Sequence, residues 1–394
     1  MSHESSHEIR NQLCAKLQNI PQYKKYIDSL LLKAVCERQD FYFPDPPPHK
    51  ALRKFDKSGW HDLYVSEKDN WRVQRYKETN WCRIRDWSNR SQAYGTVKQI
   101  ICPILNECHR QEHLEKIDSK EWAIVFCGGG GKGAYHIGVW KWLVDKGIAA
   151  KITGVSGASV GALNSLLFVL GDTEKAHKIW HDITDEDIAD TQWGIPIPLQ
   201  SSYPIRKIID RNIEDWDKIF NSNKIVYSTL TGINAIVPFK AIYQHLNKGV
   251  AKTQHSIRPE YFCWSSRSAN EIKELVLASA AIPVVKKYRK FEGIWFVDGG
   301  LADNAPIKPL IEDGYRNIIV ISLSRKKQQF HKAISGLDTR NVNFYYVSPS
   351  VSLDDMMKAN EDLTEKRIAW GYGDADLQLK DLLSNPETTK HSPL

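Results

Sequence analysis

The stretch from Trp122 to Leu143, "WAIVFCGGGGKGAYHIGVWKWL", sets an apolar β-rich run, four consecutive glycines and an amphipathic helical pattern end to end. A run of β-branched and aromatic residues bounded by turn formers reads as a strand, and apolar residues three and four apart read as a helix. The alternation continues downstream. "KITGVS" (151–156) precedes helical "VGALNSLLFVLG" (160–171). "KIVYSTL" (224–230), "IWFVDGG" (294–300), "NIIVISLS" (317–324) and "NFYYVSPS" (343–350) read as further strands, with "EIKELVLASAA" (271–281) helical among them. Strand, helix and strand in succession predict an α/β fold whose largely parallel sheet is covered on both faces.

Gly128 to Gly131 let the backbone approach a ligand closely, and Lys132 and Gly133 lead into the helix. Backbone N–H groups gathered at a helix start, where the macrodipole favours negative charge, make an anion cradle. "GGGGKG" satisfies the dinucleotide pattern GxGxxG, but the second strand runs into serines without the Asp or Glu expected about 20 residues on. The phosphate loop of nucleotide hydrolases needs Ser or Thr after its lysine, and Gly133 stands there. The remaining anion is the oxyanion of an acyl-transfer intermediate, stabilised by backbone donors already in place. A nucleotide- or dinucleotide-binding module stays open as the alternative.

Two serines follow in "ITGVSGASVGALN" (152–164). A nucleophile elbow is a strained strand-to-helix turn, relieved by glycines two positions either side of the serine. Ser159 has both, Gly157 and Gly161; Ser156 has Ala158 in the second place. Helical "VGALNSLLFVL" starts directly after Ser159, aiming a helix N-terminus at its Oγ and placing the Val160 N–H beside an oxyanion. Ser156 reads as the end of the buried strand, a core hydroxyl.

The serine needs a base. His331, in basic "RKKQQFHKAIS", and His391, in the C-terminal tail, have no catalytic setting. A carboxylate that hydrogen-bonds the hydroxyl directly is the other solution. "IWFVDGGLADNAPI" puts Asp298 at the end of an apolar strand, before Gly299 and Gly300; on its own this is equally a sharp turn.

Taken together and in order, "GGGGKGAYHIGV", "GASVGALN" and "DGGLADNAPI" resemble the patatin-like phospholipase family. That family combines a glycine-rich oxyanion loop, a GxSxG elbow one βαβ unit later, and a distant DGG or DGA aspartate. "LASAAIP" (277–283) is similar to the helix end before that aspartate, and "RIAWGYGDA" (367–375) to the family's C-terminal helix. The resemblance covers about residues 122–382 and implies a three-layer α/β/α domain that hydrolyses acyl esters of lipids with a Ser-Asp dyad. Carried over, Ser159 is the nucleophile, Asp298 its base, and Gly129, Gly130 and Gly131 the oxyanion donors. Gly128, Lys132 and Gly133 support the loop, and His136 is a packing residue. No metal or organic cofactor is implied. Cys127 stands where the family often has Asp. "VVKKYRKFEG" (284–293) replaces an apolar, proline-bearing stretch, so Lys286, Lys287, Arg289 and Lys290 read either as lipid-phosphate contacts or as a solvated turn.

The expected organisation is an N-terminal extension over 1–120, the acyl hydrolase domain over 121–382 and a tail over 383–394. Apolar positions at helical spacing in "IRNQLCAKLQNIPQYKKYIDSLLLKAVCERQ" predict a mainly helical segment, broken by the prolines of "FYFPDPPPHK". Trp60, Trp71, Trp81 and Trp87 among Arg and Lys read as packing residues or as an interfacial or nucleic-acid surface. Cys102, Cys108, His109 and His113 match no common zinc spacing.

Across its 394 residues the chain is 42% hydrophobic and carries a formal charge of +7, with a mean hydropathy of −0.45. That composition excludes a disordered protein, and no run of about 18 apolar residues predicts a membrane span. "MSHESSHEIRNQ" lacks the apolar centre of a secretory signal, and seven scattered cysteines fit a reducing compartment. The expectation is a cytoplasmic protein that meets membranes peripherally through its lipid substrate, with no nucleic acid as partner. Residues 1–120 are a possible site for a regulatory partner or ligand.

Overall fold

A computed structural model describes residues 6–18, 26–27, 57–66, 71–77, 79–85, 91–117, 119–188, 203–233, 257–280, 289–291, 294–380 and 382. Two compact units emerge, residues 1–113 with 292–294 and residues 114–291 with 295–394. In the first, helix α1 (Ser6–Gln18) precedes strands β1 (Trp60–Val65), β2 (Arg72–Tyr76), β3 (Trp81–Arg85) and β4 (Ser91–Thr96), and helix α2 (Val97–Lys116) follows. The strands pair antiparallel in chain order.

The four-stranded sheet between α1 and α2 was not anticipated in the extension. Its signal is a period of two hidden by charge: Cys82 and Ile84 are buried, while Trp81, Arg83 and Arg85 are half-buried. Leu63, Trp71, Val73, Cys82 and Ile84 share a core with Cys14 and Leu17 of α1 and Ile100, Ile104 and Cys108 of α2. Burial pushes the Cys108 thiol up to about 12, as befits a packing residue. Trp71 is a core side chain, and Trp60 receives the Arg83 guanidinium over its ring at 4.1 Å. Trp87 lies outside the described residues.

The second unit follows the α/β expectation. Strand β5 (Trp122–Phe126), helix α3 (Ala134–Asp145), β6 (Ile152–Ala158) and α4 (Val160–Leu170) open it. Next come β7 (Ile225–Ile233), β8 (Ile257–Cys263), α5 (Ala269–Ser279), β9 (Arg289–Phe291) and β10 (Ile294–Asp298). Helix α6 (Lys308–Glu312), β11 (Asn317–Ile321), α7 (Gln328–Ile334), β12 (Asn343–Val347) and α8 (Glu361–Gln378) close it. The eight-stranded sheet has the order β12-β11-β5-β6-β7-β10-β9, with β8 also on β7. From β12 to β7 every pairing is parallel; β8 and β10 run antiparallel to β7.

Alternate residues of β5 explain the layers. Ala123 and Val125 pack with Leu310, Tyr315 and Phe330 on the α6 and α7 side, whereas Phe126 meets Phe168 of α4 and His136 of α3. Both faces of the sheet are therefore covered, in a three-layer α/β/α arrangement. Helix α8 lies directly on α3 because a Cβ on Gly138 would collide with the Ile368 carbonyl, and one on Gly371 with the Tyr135 carbonyl. Strand β8 was not anticipated; its Pro259 is tolerated because, among the described residues, β8 pairs with β7 alone. Residues 383–394, 189–202 and 281–288, with Lys286 and Lys287, lie outside the described residues, whereas Arg289 and Lys290 stand on β9.

Candidate active site

One edge of β7 brings the two motifs together. Residues 227–233 pair with β8 on one side, so the other side takes β6 along residues 225–229 and β10 along residues 230–233. Strand β6 runs parallel to β7 and β10 antiparallel, so their last residues meet end to end. Ala158 lies opposite Thr229, and Asp298 opposite Leu230.

Ser159 follows Ala158 at φ 55° and ψ −125°, a left-handed conformation that a non-glycine residue holds only under constraint. The constraint is visible. The Ser159 N–H donates to Ser279 Oγ at 2.9 Å, and that hydroxyl donates to the Thr229 carbonyl at 2.7 Å. A Cβ on Gly161 would collide with the Phe126 carbonyl, and one on Gly157 with the Gly161 carbonyl, so the two flanking glycines let the elbow close onto strand and helix. Helix α4 starts at Val160, leaving its first-turn N–H groups beside the serine. Ser156 is indeed a core hydroxyl, donating to the Pro306 carbonyl at 2.6 Å, although β6 continues two residues beyond it to Ala158.

Asp298 ends β10 and caps a short turn, its Oδ1 accepting the Gly300 N–H at 2.9 Å. Thr231 fixes the turn from β7: its hydroxyl donates to the Asp298 carbonyl at 2.7 Å and accepts the Ala302 N–H at 3.2 Å. Gly299 sits against the Thr229 carbonyl, where no Cβ fits. Both side chains of the pair are largely shielded, Ser159 at 5% and Asp298 at 7% exposure.

Asn304 joins this turn to the glycine loop. Its Oδ1 accepts the Gly128 N–H at 3.1 Å and its Nδ2 donates to the Gly128 carbonyl at 3.2 Å. A Cβ on Gly128 would lie 3.0 Å from Ser159 Cβ, and one on Gly300 would lie 3.0 Å from Asp298 Oδ1. The loop, the serine and the aspartate are thus neighbours. Sequence reasoning quoted Asn304 within "DGGLADNAPI" without giving it a part; an amide able to pair with a backbone N–H and C=O at once was the available signal.

The loop itself calls for one correction. The Gly131 N–H donates to the Met356 carbonyl at 2.8 Å, so it is engaged away from any oxyanion, and Gly128 is held by Asn304. Gly129 and Gly130 are the loop residues whose N–H groups carry no hydrogen bond among the described residues, and Gly130 takes φ 58°. Lys132 is half-buried, and Gly133 packs where a Cβ would come within 2.6 Å of Val160 Cγ2.

Asn164, also unremarked in the sequence, donates to the Gly133 carbonyl and shares a hydrogen bond with His136 Nδ1, both at 2.9 Å, while Trp180 Nε1 donates to its Oδ1 at 2.8 Å. His136 is fully buried in this network, and burial pushes its pKa down to about 3, so it is a neutral packing residue. Burial holds the Cys127 thiol well above its usual range, which makes it a core group rather than a reactive thiol. His331 is exposed on α7.

Residues 124–311 match the patatin-like phospholipase family model. Protein L620 of Acanthamoeba polyphaga mimivirus is 23% identical over 278 residues, 57% of this chain and 73% of its own length. Human 1-acylglycerol-3-phosphate O-acyltransferase PNPLA3 is 24% identical over 192 residues, 47% of this chain but only 35% of the human protein. Among solved structures, VipD from Legionella pneumophila is similar with a TM-score of 0.36 and 14% identity, covering 67% of each chain. The type III effector ExoU gives a TM-score of 0.31 and 12% identity over 80% of this chain and 57% of its own. The residues that match the patatin-like phospholipase family model run from β5 through the glycine loop, the Ser159 elbow and the Asp298 turn, so it is the site-bearing part of the α/β unit that is similar to that family.

Proposed function

We propose that Ser159 and Asp298 form a dyad that hydrolyses carboxylic esters of lipids. The observation that carries this reading is the end-to-end meeting of β6 and β10 on one edge of β7, which sets the strained serine beside a shielded carboxylate. Asp298 accepts the Ser159 Oγ proton, Oγ attacks the ester carbonyl, and the alcohol leaves with that proton; water activated by Asp298 then releases the fatty acid. The N–H groups of Gly129, Gly130 and Val160 receive the oxyanion. Gly128 and Gly131 are already bonded to Asn304 and Met356, which leaves few donors for a phosphate and disfavours the nucleotide alternative.

No helix among the described residues is long and apolar enough to cross a membrane, so contact with lipid is proposed to be peripheral. The test is mass-spectrometric product analysis of a mixed lipid extract, with a fluorophosphonate probe for Ser159. Wild type should release fatty acid and take the label, and Ser159→Ala and Asp298→Asn should do neither while remaining folded. A fully active Ser159→Ala protein would sink the mechanism. The first unit has a hydrophobic core of its own, which supports a second reading in which it binds a partner that gates the site. Turnover and vesicle binding unchanged on deletion of residues 1–113 would remove that reading.

A further inference from the structure

Arg367 is a charged side chain buried in the second unit, with no exposed surface. It stands on α8, and every one of its five N–H donors meets a main-chain carbonyl. Nε donates to Leu353 at 3.1 Å; Nη2 donates to Leu353 at 2.7 Å and to Asp355 at 2.9 Å; Nη1 donates to Lys358 at 2.7 Å and to Gly131 at 2.9 Å. Four of these bonds tie down a single strap, residues 353–358, in which Asp354 takes φ 59°. The fifth reaches the glycine loop.

The strap returns the contact. Met356, its middle residue, accepts the Gly131 N–H, so the carbonyl of Gly131 is held by Arg367 and its N–H by the segment that Arg367 organises. Gly130 and Gly131 have no room for a Cβ on this side: one on Gly130 would collide with the Met356 carbonyl, and one on Gly131 with the Lys358 carbonyl, 3.2 Å from Arg367 Nη1. Gly131 is thereby held through both its N–H and its carbonyl, immediately after the two glycines whose N–H groups carry no hydrogen bond among the described residues. Asp185, Asp354 and Asp355 supply the negative potential that counters the burial of the charge.

From this geometry we infer that Arg367 is the positioning residue of the oxyanion loop: through the strap it sets the peptide orientation of Gly129 and Gly130. The inference rests on the hydrolase reading above and touches no reacting atom. A fork of five coplanar donors is needed to span four carbonyls, and a lysine, with three donors on one nitrogen, cannot do so. Loss of the clamp loosens donors that matter when charge develops on the carbonyl oxygen, so it lowers kcat and leaves KM in place.

The test compares wild type, Arg367→Lys and Gly131→Ala, the last pushing the strap from the loop side. Hydrolysis of a soluble short-chain ester gives kcat and KM, and hydrogen–deuterium exchange follows the peptide covering residues 127–133. Each variant should lose about tenfold to a hundredfold in kcat with KM within about twofold, and exchange should rise in that peptide. The double variant should lose little more than the worse single one, since both break one contact. If Arg367→Lys does not fold, Gly131→Ala carries the test. Wild-type kcat in a folded single variant, or a KM effect alone, overturns the positioning role. A wild-type protein that neither turns over ester nor reacts with fluorophosphonate overturns the hydrolase reading, and the role falls with it; exchange unchanged at residues 127–133 refutes the clamp itself.

Discussion

Ser279 Oγ accepts the backbone N–H of Ser159 at 2.9 Å. The same hydroxyl donates to the Thr229 carbonyl, so a helix-end serine holds the elbow to the strand beside it. Ser279→Ala leaves a buried N–H and a buried carbonyl without this partner, at a cost of about 1–3 kcal/mol, and lets the elbow relax. The expected outcome is a lower urea midpoint together with a fall in kcat, with both largely restored in Ser279→Thr. An alanine variant as stable and active as wild type would remove the role.

The conformation of Ser159 separates stability from activity. A side chain at φ 55° and ψ −125° is strained by about 1–3 kcal/mol, and glycine is not, although glycine costs up to about 1 kcal/mol through the unfolded chain. Ser159→Gly should therefore melt at or above Ser159→Ala in calorimetry, while neither takes a fluorophosphonate label. An alanine variant clearly more stable than the glycine one would mean that the elbow stores no strain.

Two adjacent glycines should fail in different ways. A Cβ on Gly299 meets the Thr229 carbonyl, a fixed backbone atom, whereas one on Gly300 comes within 2.5 Å of Asn304 Oδ1 and 3.0 Å of Asp298 Oδ1, both on side chains that can move. Gly299→Ala should lose several kcal/mol of stability or fail to fold. Gly300→Ala should keep its melting temperature within a few degrees and lose most activity, because the carboxylate is displaced. Equal losses of stability in the two would contradict this division.

His136 gives a pH signature. Its folded pKa of about 3 lies below the ordinary value of 6.5, so the unfolded chain binds a proton that the native state excludes. Stability from this site is complete above pH 6.5 and declines as pH falls toward 3, at up to about 1.4 kcal/mol per pH unit. Urea midpoints at pH 7 and pH 5 should differ more in wild type than in His136→Gln. Identical differences would place the imidazole outside the titration.

The strands, the helices that bear the site and the strand-to-helix turn at Ser159 were legible because apolar runs, glycine spacing and helix starts are local patterns. "WAIVF" is strand β5 residue for residue. What the sequence did not disclose depends on contacts between distant segments: Asn304 on Gly128, Ser279 on Ser159, and Met356 on Gly131. The Gly131 N–H was assigned to the oxyanion because a run of like residues carries no mark of which donors are already bonded. The sheet of the first unit was missed for another reason. Its alternation is between apolar and basic or aromatic residues, whose long side chains are themselves half-buried, so the contrast that marks a strand is weak.

Strand β7 acts as a ruler for the chemistry. Because Ala158 and Asp298 are read against consecutive residues of one backbone, the separation of Ser159 from Asp298 is quantised in steps of about 3.4 Å, and a slip of one residue would also turn the carboxylate to the opposite face. An insertion within residues 225–233 would change that distance.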